Sequence, residues 1–235
     1  MCLLFDYTGS KCGDRLRYAL GAKEIRHLRY CYHNGVTDSG DHPLYPTVQT
    51  VFLDRDGVLN EKMPEGSYVT SWAKFRLLPG AVEAIGRLNR AGMRVIVVSN
   101  QRGIALGLYT AADVEAIHTS LQDVLQTHGA HVDGFFFCPH DKQQCNCRKP
   151  LPGLFMQAAD KFPEITAERS IMIGDSLSDI EFGRRLGMRT VFIDGDSIHR
   201  KSGAEGARES ASLRCGSLSE AVDLLLQEPA LSRKA

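Results

Sequence analysis

The feature that most constrains the fold of this 235-residue chain is a regular order of short apolar segments and helical segments that begins at Thr47. The apolar segments, such as those at 48–53 and 94–99, are rich in β-branched residues and do not alternate with polar ones. Segments of this kind are typical of strands buried on both faces, which occur in parallel sheets covered by helices. The sequence therefore predicts an α/β fold, a three-layer doubly wound parallel sheet of Rossmann-like topology.

Helical spacing and helix-end signals complete this pattern. Thr110 can cap the second helix, and Ser217 with Glu220 forms a capping-box signature for the last one. Residues 47–230 are thus predicted to form one domain. Its predicted strands are 48–53, 94–99, 134–137, 170–173 and 189–193, and its predicted helices are 81–90, 110–128, 153–162, 178–186 and 218–227.

The first 46 residues lack this pattern. A helix at 14–30 is interrupted by Gly21, and residues 34–46 are rich in Gly, Asp and Pro, as linkers are. We expect residues 1–46 to be a poorly ordered N-terminal extension. A small accessory element is the alternative.

Charge and hydropathy narrow the classes of function. The chain has 28 basic and 28 acidic residues, so its formal net charge is zero, whereas nucleic-acid-binding proteins usually carry a basic excess. No apolar run approaches the roughly 20 residues that span a bilayer, and the N-terminus does not resemble a signal peptide. We therefore expect a cytoplasmic protein without a nucleic-acid or membrane partner. A monomer is expected as well, although no sequence feature determines the oligomeric state.

Two carboxylates end the first predicted strand, at the edge where parallel sheets bind ligands. Asp54 and Asp56 lie one residue apart, and such a pair repels unless a cation neutralises it. Mg²⁺ prefers hard oxygen ligands of this kind, and Gly57 lets the backbone leave the strand sharply. A solvated turn is the alternative, because Asp and Gly are common turn residues.

Three more polar motifs follow at or after later strands. A hydroxyl and exposed N–H groups can hold phosphate oxygens, two cations can neutralise a phosphoryl group, and further carboxylates can join a metal site. Taken singly, each is also compatible with an ordinary turn or a solvated pair. In chain order they are Ser99-Asn100-Gln101, Arg148-Lys149, and Asp175 with Asp179.

Together the four motifs resemble the haloacid dehalogenase-like superfamily of phosphotransferases, over roughly residues 48–195. The superfamily pattern is DxDG, a Ser or Thr after a second strand, a later Lys or Arg, and GDxxxD. The resemblance implies that Asp54 is a nucleophile that forms an aspartyl-phosphate and that Asp56 is its general acid and base. It also implies that Ser99 binds the phosphoryl group and that Lys149 balances its charge.

The same resemblance implies a Mg²⁺ site formed by Asp54, Asp175 and the backbone carbonyl of Asp56, with Asp179 orienting it. Cap domains of the superfamily are inserted between the motifs, and the gaps here are too short for one. We therefore expect a capless, open site whose specificity comes from loops. The predicted substrate contacts are Gly66, Tyr68, Asn100, Gln101, Arg102 and Arg148.

A cysteine-rich loop predicts a second metal site. The pattern C-x-H-x4-C-x-C places Cys138, His140, Cys145 and Cys147 directly before Arg148. Three thiolates and one imidazole fill a tetrahedral zinc site, which leaves no position for water and predicts a structural ion. Clustered cysteines do not fit a disulfide framework, in which they are spread along the chain. Three free cysteines near a chance histidine are the alternative.

This loop, with the strings FLDRDGVLN and SNQRGIALG, is similar to the branch that contains heptose bisphosphate phosphatases and histidinol-phosphatases. The predicted activity is Mg²⁺-dependent hydrolysis of a small phosphorylated metabolite, with removal of the 7-phosphate of D-glycero-D-manno-heptose 1,7-bisphosphate as the first choice. Histidinol phosphate is favoured by Ser176, which stands where the heptose enzymes usually carry a lysine. A nucleic-acid 3′-phosphatase and a non-enzymatic binding protein are further alternatives.

Overall fold

Six parallel strands form the centre of the protein, whose computed structural model describes residues 48–64, 66–195 and 203–227. Their order in the sheet is β3-β2-β1-β4-β5-β6, so the chain adds strands on one side of β1 and then on the other. This is the predicted doubly wound sheet. The strands are β1 (Thr50–Leu53), β2 (Arg94–Asn100), β3 (Gly134–Cys138), β4 (Ser170–Gly174), β5 (Arg189–Ile193) and β6 (Leu213–Cys215).

Helices connect these strands, and five of them confirm the predicted segments to within one residue at each end. The seven-residue α5 and the three-residue β6 are additional, because such short segments carry no readable period. The predicted extension at 1–46 lies outside the described residues. The helices are α1 (Ala81–Arg90), α2 (Ala111–Thr127), α3 (Gly153–Lys161), α4 (Leu177–Leu186), α5 (Ala204–Ser210) and α6 (Leu218–Gln227), with a 3₁₀ turn at Trp72–Lys74.

Successive residues of each central strand enter two different hydrophobic cores. In β1, Val51 and Leu53 pack in a core with α1, α2 and α6, whereas Phe52 packs on the opposite face with α3 and α4. All three side chains are fully buried. The two cores explain why the strand sequences do not alternate, since both faces of the sheet are covered.

The predicted caps are found at both helices, in different forms. Thr110 and Asp113 make the full capping box of α2, with the Thr110 hydroxyl accepting from the Asp113 N–H and the Asp113 carboxylate accepting from the Thr110 N–H. At α6 the Ser217 hydroxyl accepts from the Glu220 N–H at 3.2 Å. The Glu220 carboxylate, however, accepts from the N–H of Gly216 at 2.7 Å, one residue earlier than a capping box requires.

The connections between the strands leave the carboxyl edge of the sheet open. In the part of the chain that the structure describes, a loop, the 3₁₀ turn and α1 link β1 to β2, and α2 links β2 to β3, so no cap domain is inserted there. This agrees with the capless architecture that the sequence predicts. Among the described helices, none combines the length and apolar character needed to cross a membrane.

Candidate active site

Asp54 lies directly after β1, the central strand, which is the topological switch point of the sheet because later strands are added on its other side. Its N–H donates to the carbonyl of Ile173 in β4 at 2.9 Å, so the backbone is still held by the neighbouring strand. Its carboxylate accepts from the N–H of Arg55 at 2.8 Å and from Nζ of Lys149 at 2.9 Å. The residue is only 6% exposed, so a carboxylate is fixed at the base of the open edge.

Asp56 is held by donors from three side chains. Arg55 Nη2 lies 3.0 and 2.9 Å from its two oxygens, Asn60 Nδ2 lies at 2.9 Å and Gln101 Nε2 at 3.1 Å. Burial acts to raise the pKa of Asp56, but the Arg55 charge and the three donors outweigh it and lower that pKa. The arrangement therefore favours the ionised carboxylate.

Lys149 is a buried cation between two carboxylates. Its Nζ lies 2.9 Å from Asp54 Oδ1 and 2.7 Å from Asp179 Oδ1, and it donates to the carbonyl of Val98 at 2.7 Å. Burial acts to lower the pKa of Lys149, but Asp179 and Asp54 raise it to about 12. The ammonium group therefore stays charged at neutral pH.

Asn100 fixes the backbone of Lys149 at the end of β2. Its Oδ1 accepts from the Lys149 N–H at 3.0 Å and its Nδ2 donates to the Lys149 carbonyl at 3.1 Å. This reciprocal pair joins two segments that are 49 residues apart in the chain. The amide of Asn100, a predicted substrate contact, is thus used to position the cation, although the residue also lines the cleft described below.

Asp179 is fully buried at the first turn of α4. Its Oδ2 accepts from the N–H of Ser176 at 3.0 Å, which is one of the two bonds of the capping box of this helix, and also from the Ser176 hydroxyl at 2.6 Å. Its Oδ1 faces Lys149. The helix cap therefore directs one carboxylate oxygen toward Lys149 at the carboxyl edge of the sheet.

Three carboxylates at this edge have the spacing of a divalent-cation site. Oxygens of Asp54, Asp175 and Asp179 lie within 4.8 Å of one another. Ligands of one Mg²⁺, each at about 2.1 Å from the ion, lie at most about 4.2 Å apart, so small side-chain movements bring these oxygens into range. The hard oxygen donor set fits Mg²⁺.

Lys62 is a neighbour of this cluster that the sequence analysis missed. Its Nζ donates to Oδ2 of Asp175, and both side chains are only 6% exposed. Gly57 makes the close approach of Asp175 possible, since its φ is +99° and a Cβ there would be 2.1 Å from Asp175 Oδ2. A single lysine in a loop has no period or motif, and its partner lies 113 residues away, so only the fold reveals the contact.

These groups surround a small polar cleft of about 40 Å³, a size that suits a phosphoryl group. Ser99, which is 1% exposed, presents its hydroxyl at the end of β2. Gln101 is 2% exposed and lies behind it, with its amide bonded to Ser99 and Asp56. The residues lining the cleft are Asp54, Asp56, Ser99, Asn100, Lys149, Ser176, Ser178 and Asp179.

The remaining predicted substrate contacts lie in loops outside the cleft lining. Arg102 makes a two-pronged ion pair with Asp141, and its second nitrogen, Nη2, lies 3.3 Å from Oδ2. Arg148 has a buried Nη1 without a hydrogen-bond partner among the described residues. Gly66 is exposed, and the Tyr68 ring packs 5.8 Å from that of Tyr109.

The Cys/His loop (residues 138–147) brings its four predicted ligands together. Cys138 Sγ lies 3.5 Å from Cys145 Sγ and 3.7 Å from His140 Nδ1, and His140 Nδ1 lies 3.3 Å from Cys147 Sγ. A tetrahedral zinc ion with Zn–S bonds of about 2.3 Å holds its sulfurs about 3.7 Å apart. All three cysteines are free thiols. The donor set and its spacing therefore fit zinc.

Comparison with known proteins gives relatives that share this architecture. A HAD-hydrolase-like family model matches residues 146–221. The D-glycero-alpha-D-manno-heptose-1,7-bisphosphate 7-phosphatase of Mycobacterium tuberculosis is 44% identical over 137 residues, which cover 58% of this chain and 72% of the relative. The D-glycero-beta-D-manno-heptose-1,7-bisphosphate 7-phosphatase of Bordetella bronchiseptica is 34% identical over 182 residues, which cover 77% of this chain and 99% of the relative.

A solved structure agrees with these relatives. The D,D-heptose 1,7-bisphosphate phosphatase from B. bronchiseptica, complexed with magnesium and phosphate, superimposes with a TM-score of 0.69 at 34% identity, covering 77% of this chain and 99% of that one. At 34% identity over 99% of the relative, the similarity indicates membership of the same family and not only a shared fold. The chain belongs to the HAD-like hydrolases, in the phosphatase family that includes these heptose-bisphosphate enzymes.

Proposed function

We propose that the protein removes the 7-phosphate of D-glycero-D-manno-heptose 1,7-bisphosphate in a Mg²⁺-dependent reaction. The observation that carries this proposal is the convergence of Asp54, Lys149 and Asp179 on one cleft, with the Asp175 carboxylate beside them, in a chain whose relatives are named for this reaction. The cleft admits a phosphoryl group, and the open edge of the sheet leaves room for a sugar outside it.

Asp54 and Asp56 divide the reaction into two steps. In the first, an Asp54 oxygen attacks phosphorus, the bond from phosphorus to the sugar oxygen breaks, and that oxygen takes a proton from Asp56. In the second, Asp56 accepts a proton from water as the water oxygen attacks the aspartyl-phosphate. The Asp54 carboxylate and inorganic phosphate are then released.

The local charges suit these roles. Without substrate the pKa of Asp56 is lowered, as the second step requires. The negative phosphoryl group of a bound substrate raises that pKa and so favours the proton needed in the first step. Lys149 and the Ser99 hydroxyl hold the phosphoryl oxygens, and the charge that Mg²⁺ supplies when held by Asp54, Asp175 and the Asp56 carbonyl reduces repulsion between nucleophile and phosphate. The Ser176 cap, which fixes Asp179 against Lys149, supports a role for Asp179 in orienting this site.

We further propose that the Cys/His loop binds a structural zinc ion through Cys138, His140, Cys145 and Cys147. The spacing of the four ligands supports tetrahedral coordination, and a filled set leaves no position for a reacting water. Arg148 and Lys149 follow the last ligand directly, so the ion fixes the segment that brings the catalytic cation into place. Gly66, Tyr68, Arg102 and Arg148 are proposed to contact the sugar from the surrounding loops.

A panel of substrates tests the proposed activity. Phosphate release is measured with Mg²⁺ from both anomers of the heptose 1,7-bisphosphate, from histidinol phosphate and from a 3′-phosphorylated oligonucleotide. Both anomers are included because the names of the two relatives differ in this respect. We expect the highest kcat/KM for a heptose bisphosphate, with one phosphate released and the 1-phosphate retained. A higher value for histidinol phosphate or the oligonucleotide, or no release by folded, zinc-loaded protein, contradicts the proposal.

We also propose that the protein acts as a cytoplasmic monomer. One chain supplies every proposed catalytic group, which supports a monomer, since no second chain is needed to complete the site. Light scattering after size-exclusion chromatography should give a mass near 25.9 kDa. A mass of twice that value contradicts this part of the proposal.

A further inference from the structure

A buried chain of hydrogen bonds runs from the loop before α2 to the proposed catalytic groups. The hydroxyl of Tyr109 donates to Oε1 of Gln101 at 2.7 Å. The Nε2 of Gln101 donates to Ser99 Oγ at 2.6 Å and to Asp56 Oδ2 at 3.1 Å. Tyr109 is 7% exposed and Gln101 2%, so water competes little for these bonds.

These hydrogen bonds all donate in one direction, from Tyr109 to Gln101 and from Gln101 to Ser99 and Asp56. An ionised Asp56 can only accept, so Gln101 must turn its NH₂ group toward Asp56 and its carbonyl oxygen toward Tyr109. Tyr109 must then donate. Burial raises the pKa of Tyr109 to about 12, which keeps the phenol protonated at neutral pH, and the backbone of Gly103 makes a hydrogen bond to the phenol oxygen.

Close neighbours hold the Tyr109 ring in place. A Cβ at Gly103 would lie 2.1 Å from the ring, so only glycine permits this approach. The centroid of the Tyr68 ring, in the loop between β1 and the 3₁₀ turn, lies 5.8 Å from that of Tyr109. Thr110, the next residue, is the N-cap of α2 and anchors the backbone. The position of the hydroxyl is therefore set by a helix end and two loops.

We propose that Tyr109 is a positioning residue of the phosphatase, which acts by fixing the carboxamide of Gln101. Because Gln101 donates to Ser99 Oγ, the Ser99 hydroxyl is left to donate its own proton to a phosphoryl oxygen. Without the phenol, the carboxamide can rotate and turn its oxygen toward Asp56, where two acceptors repel. This inference rests on the proposed function, since it takes Asp56 and Ser99 as groups that act on the phosphoryl group.

Tyr109→Phe removes the hydroxyl and keeps the ring. With the phosphomonoester that the wild type hydrolyses fastest, we expect kcat to fall about tenfold, as for the loss of one buried hydrogen bond, and KM to change by less than about threefold. In a Gln101→Leu background the same substitution should change kcat by less than about twofold, because Tyr109 then has nothing to position. An unchanged kcat in the single variant, or effects that multiply in the double variant, overturns the proposal.

A control separates positioning from stability. Thr190 lies in β5, away from the cleft, and Thr190→Val removes another buried hydroxyl. That hydroxyl accepts from the N–H of Ser212 at 3.1 Å. We expect this variant to lose thermal stability to a similar degree as Tyr109→Phe while its kcat stays unchanged. An equal fall of kcat in both variants would show that the Tyr109 effect is general destabilisation, and would overturn the proposal.

A spectroscopic measurement makes the test independent of turnover. The side-chain NH₂ signals of Gln101, assigned by their loss in Gln101→Leu, should exchange slowly with solvent in the wild type and at least about tenfold faster in Tyr109→Phe. Unchanged exchange overturns the proposal. If the wild type hydrolyses no phosphomonoester, the proposed function fails, while this exchange rate still decides whether Tyr109 fixes Gln101.

Discussion

At the scale of single residues, buried charges at the end of β1 are paired across long stretches of chain. Lys149 lies between Asp54 and Asp179, and Lys62 bonds Asp175. Removing one member of such a pair leaves a buried charge without its counter-charge, which is strongly unfavourable. Substitutions here therefore change local charge balance as well as chemistry.

Asp54→Asn is expected to abolish turnover, lowering kcat by at least about a thousandfold, because a neutral amide is a far weaker nucleophile than a carboxylate. Phosphate release and circular dichroism measure activity and fold separately. Asp123→Asn, the same change on an exposed residue of α2, is the matched control and should retain full activity. Appreciable turnover by folded Asp54→Asn would refute the nucleophile assignment.

Lys62→Met is expected to tighten Mg²⁺ binding by roughly threefold to tenfold, because the ammonium group and the cation compete for a carboxylate oxygen of Asp175. The Mg²⁺ concentration that half-activates phosphate release gives the measurement. Lys74→Met, at an exposed position, is the control and should leave that concentration unchanged. Weaker Mg²⁺ binding in Lys62→Met would show that Lys62 supports the site instead.

The sequence was sufficient to find the residues whose place follows from strand ends. Asp54, Ser99 and Asp175 each follow a readable strand, and Lys149 follows the cysteine motif. Lys62 and the Arg55 side chain could not be found in this way, because their contacts depend on how the loop after β1 folds back over the sheet. The hydrogen bonds from Tyr109 through Gln101 to Asp56 also depend on how loops fold and could not be found from the sequence.

At the scale of elements, α2 carries a histidine into the core. His118 is 5% exposed, and its ring stacks on Phe135 of β3 at 4.5 Å and meets Phe137 edge-on at 5.9 Å. Burial, aided by the positive charge of Arg55, lowers the pKa of His118 to about 3. The imidazole is therefore neutral in the folded protein over the physiological range.

His118 should make stability fall as pH drops below about 6.5. In that window, down to about pH 3, the unfolded chain binds a proton on His118 that the folded chain does not, so lower pH favours unfolding. The contribution between pH 7 and pH 5 is about 2 kcal/mol. In urea unfolding, His118→Phe should gain about this much relative to the wild type over the same interval. A difference between His118→Phe and the wild type that stays constant over this pH interval would contradict the prediction.

The Cys/His loop has no hydrogen-bonded helix or strand of its own between β3 and α3, so we expect its stability to depend on the proposed zinc ion. Cys145→Ser should lower zinc content well below one ion per chain and lower the unfolding temperature by several degrees. Mass spectrometry of the metal and calorimetry measure the two effects. Cys215→Ser, at a buried free cysteine in β6, should keep its zinc. Unchanged zinc in Cys145→Ser rules out the proposed coordination.

Element boundaries were predictable where a period or a cap marks them, as at α1, α2 and α6. The α5–β6 unit was not, although it completes the sheet edge. Ala207 of α5 packs against Ile180 of α4 and Phe192 of β5, whereas Cys215 of β6 joins the core that contains α1 and α6. Short elements of this kind are specified by tertiary packing more than by local pattern.

At the scale of the whole molecule, a single sheet with a hydrophobic core on each face positions the proposed functional residues. The proposed catalytic, Mg²⁺ and zinc residues lie between Asp54 and Asp179, on or next to four adjacent strands, β3, β2, β1 and β4. This concentration follows from parallel topology, which gathers the carboxyl ends of the strands at one edge. The doubly wound fold was therefore the part of the molecule most completely predictable from sequence.

A chain that begins at Thr47 is expected to keep kcat within about twofold of the full-length value, because the proposed site and both cores lie within residues 48–227. Phosphate release and thermal unfolding of the two chains, measured side by side, check this. A large loss of activity or stability in the shorter chain would show that residues 1–46 support the domain.

The space beside Gly57 has a consequence for descent. A Cβ atom at position 57 would collide with the Asp175 side chain, so a mutation of this codon would displace a carboxylate that lies 118 residues later in the sequence. We therefore expect that a protein which needs the Asp175 carboxylate in this position tolerates only glycine here, where φ is also +99°.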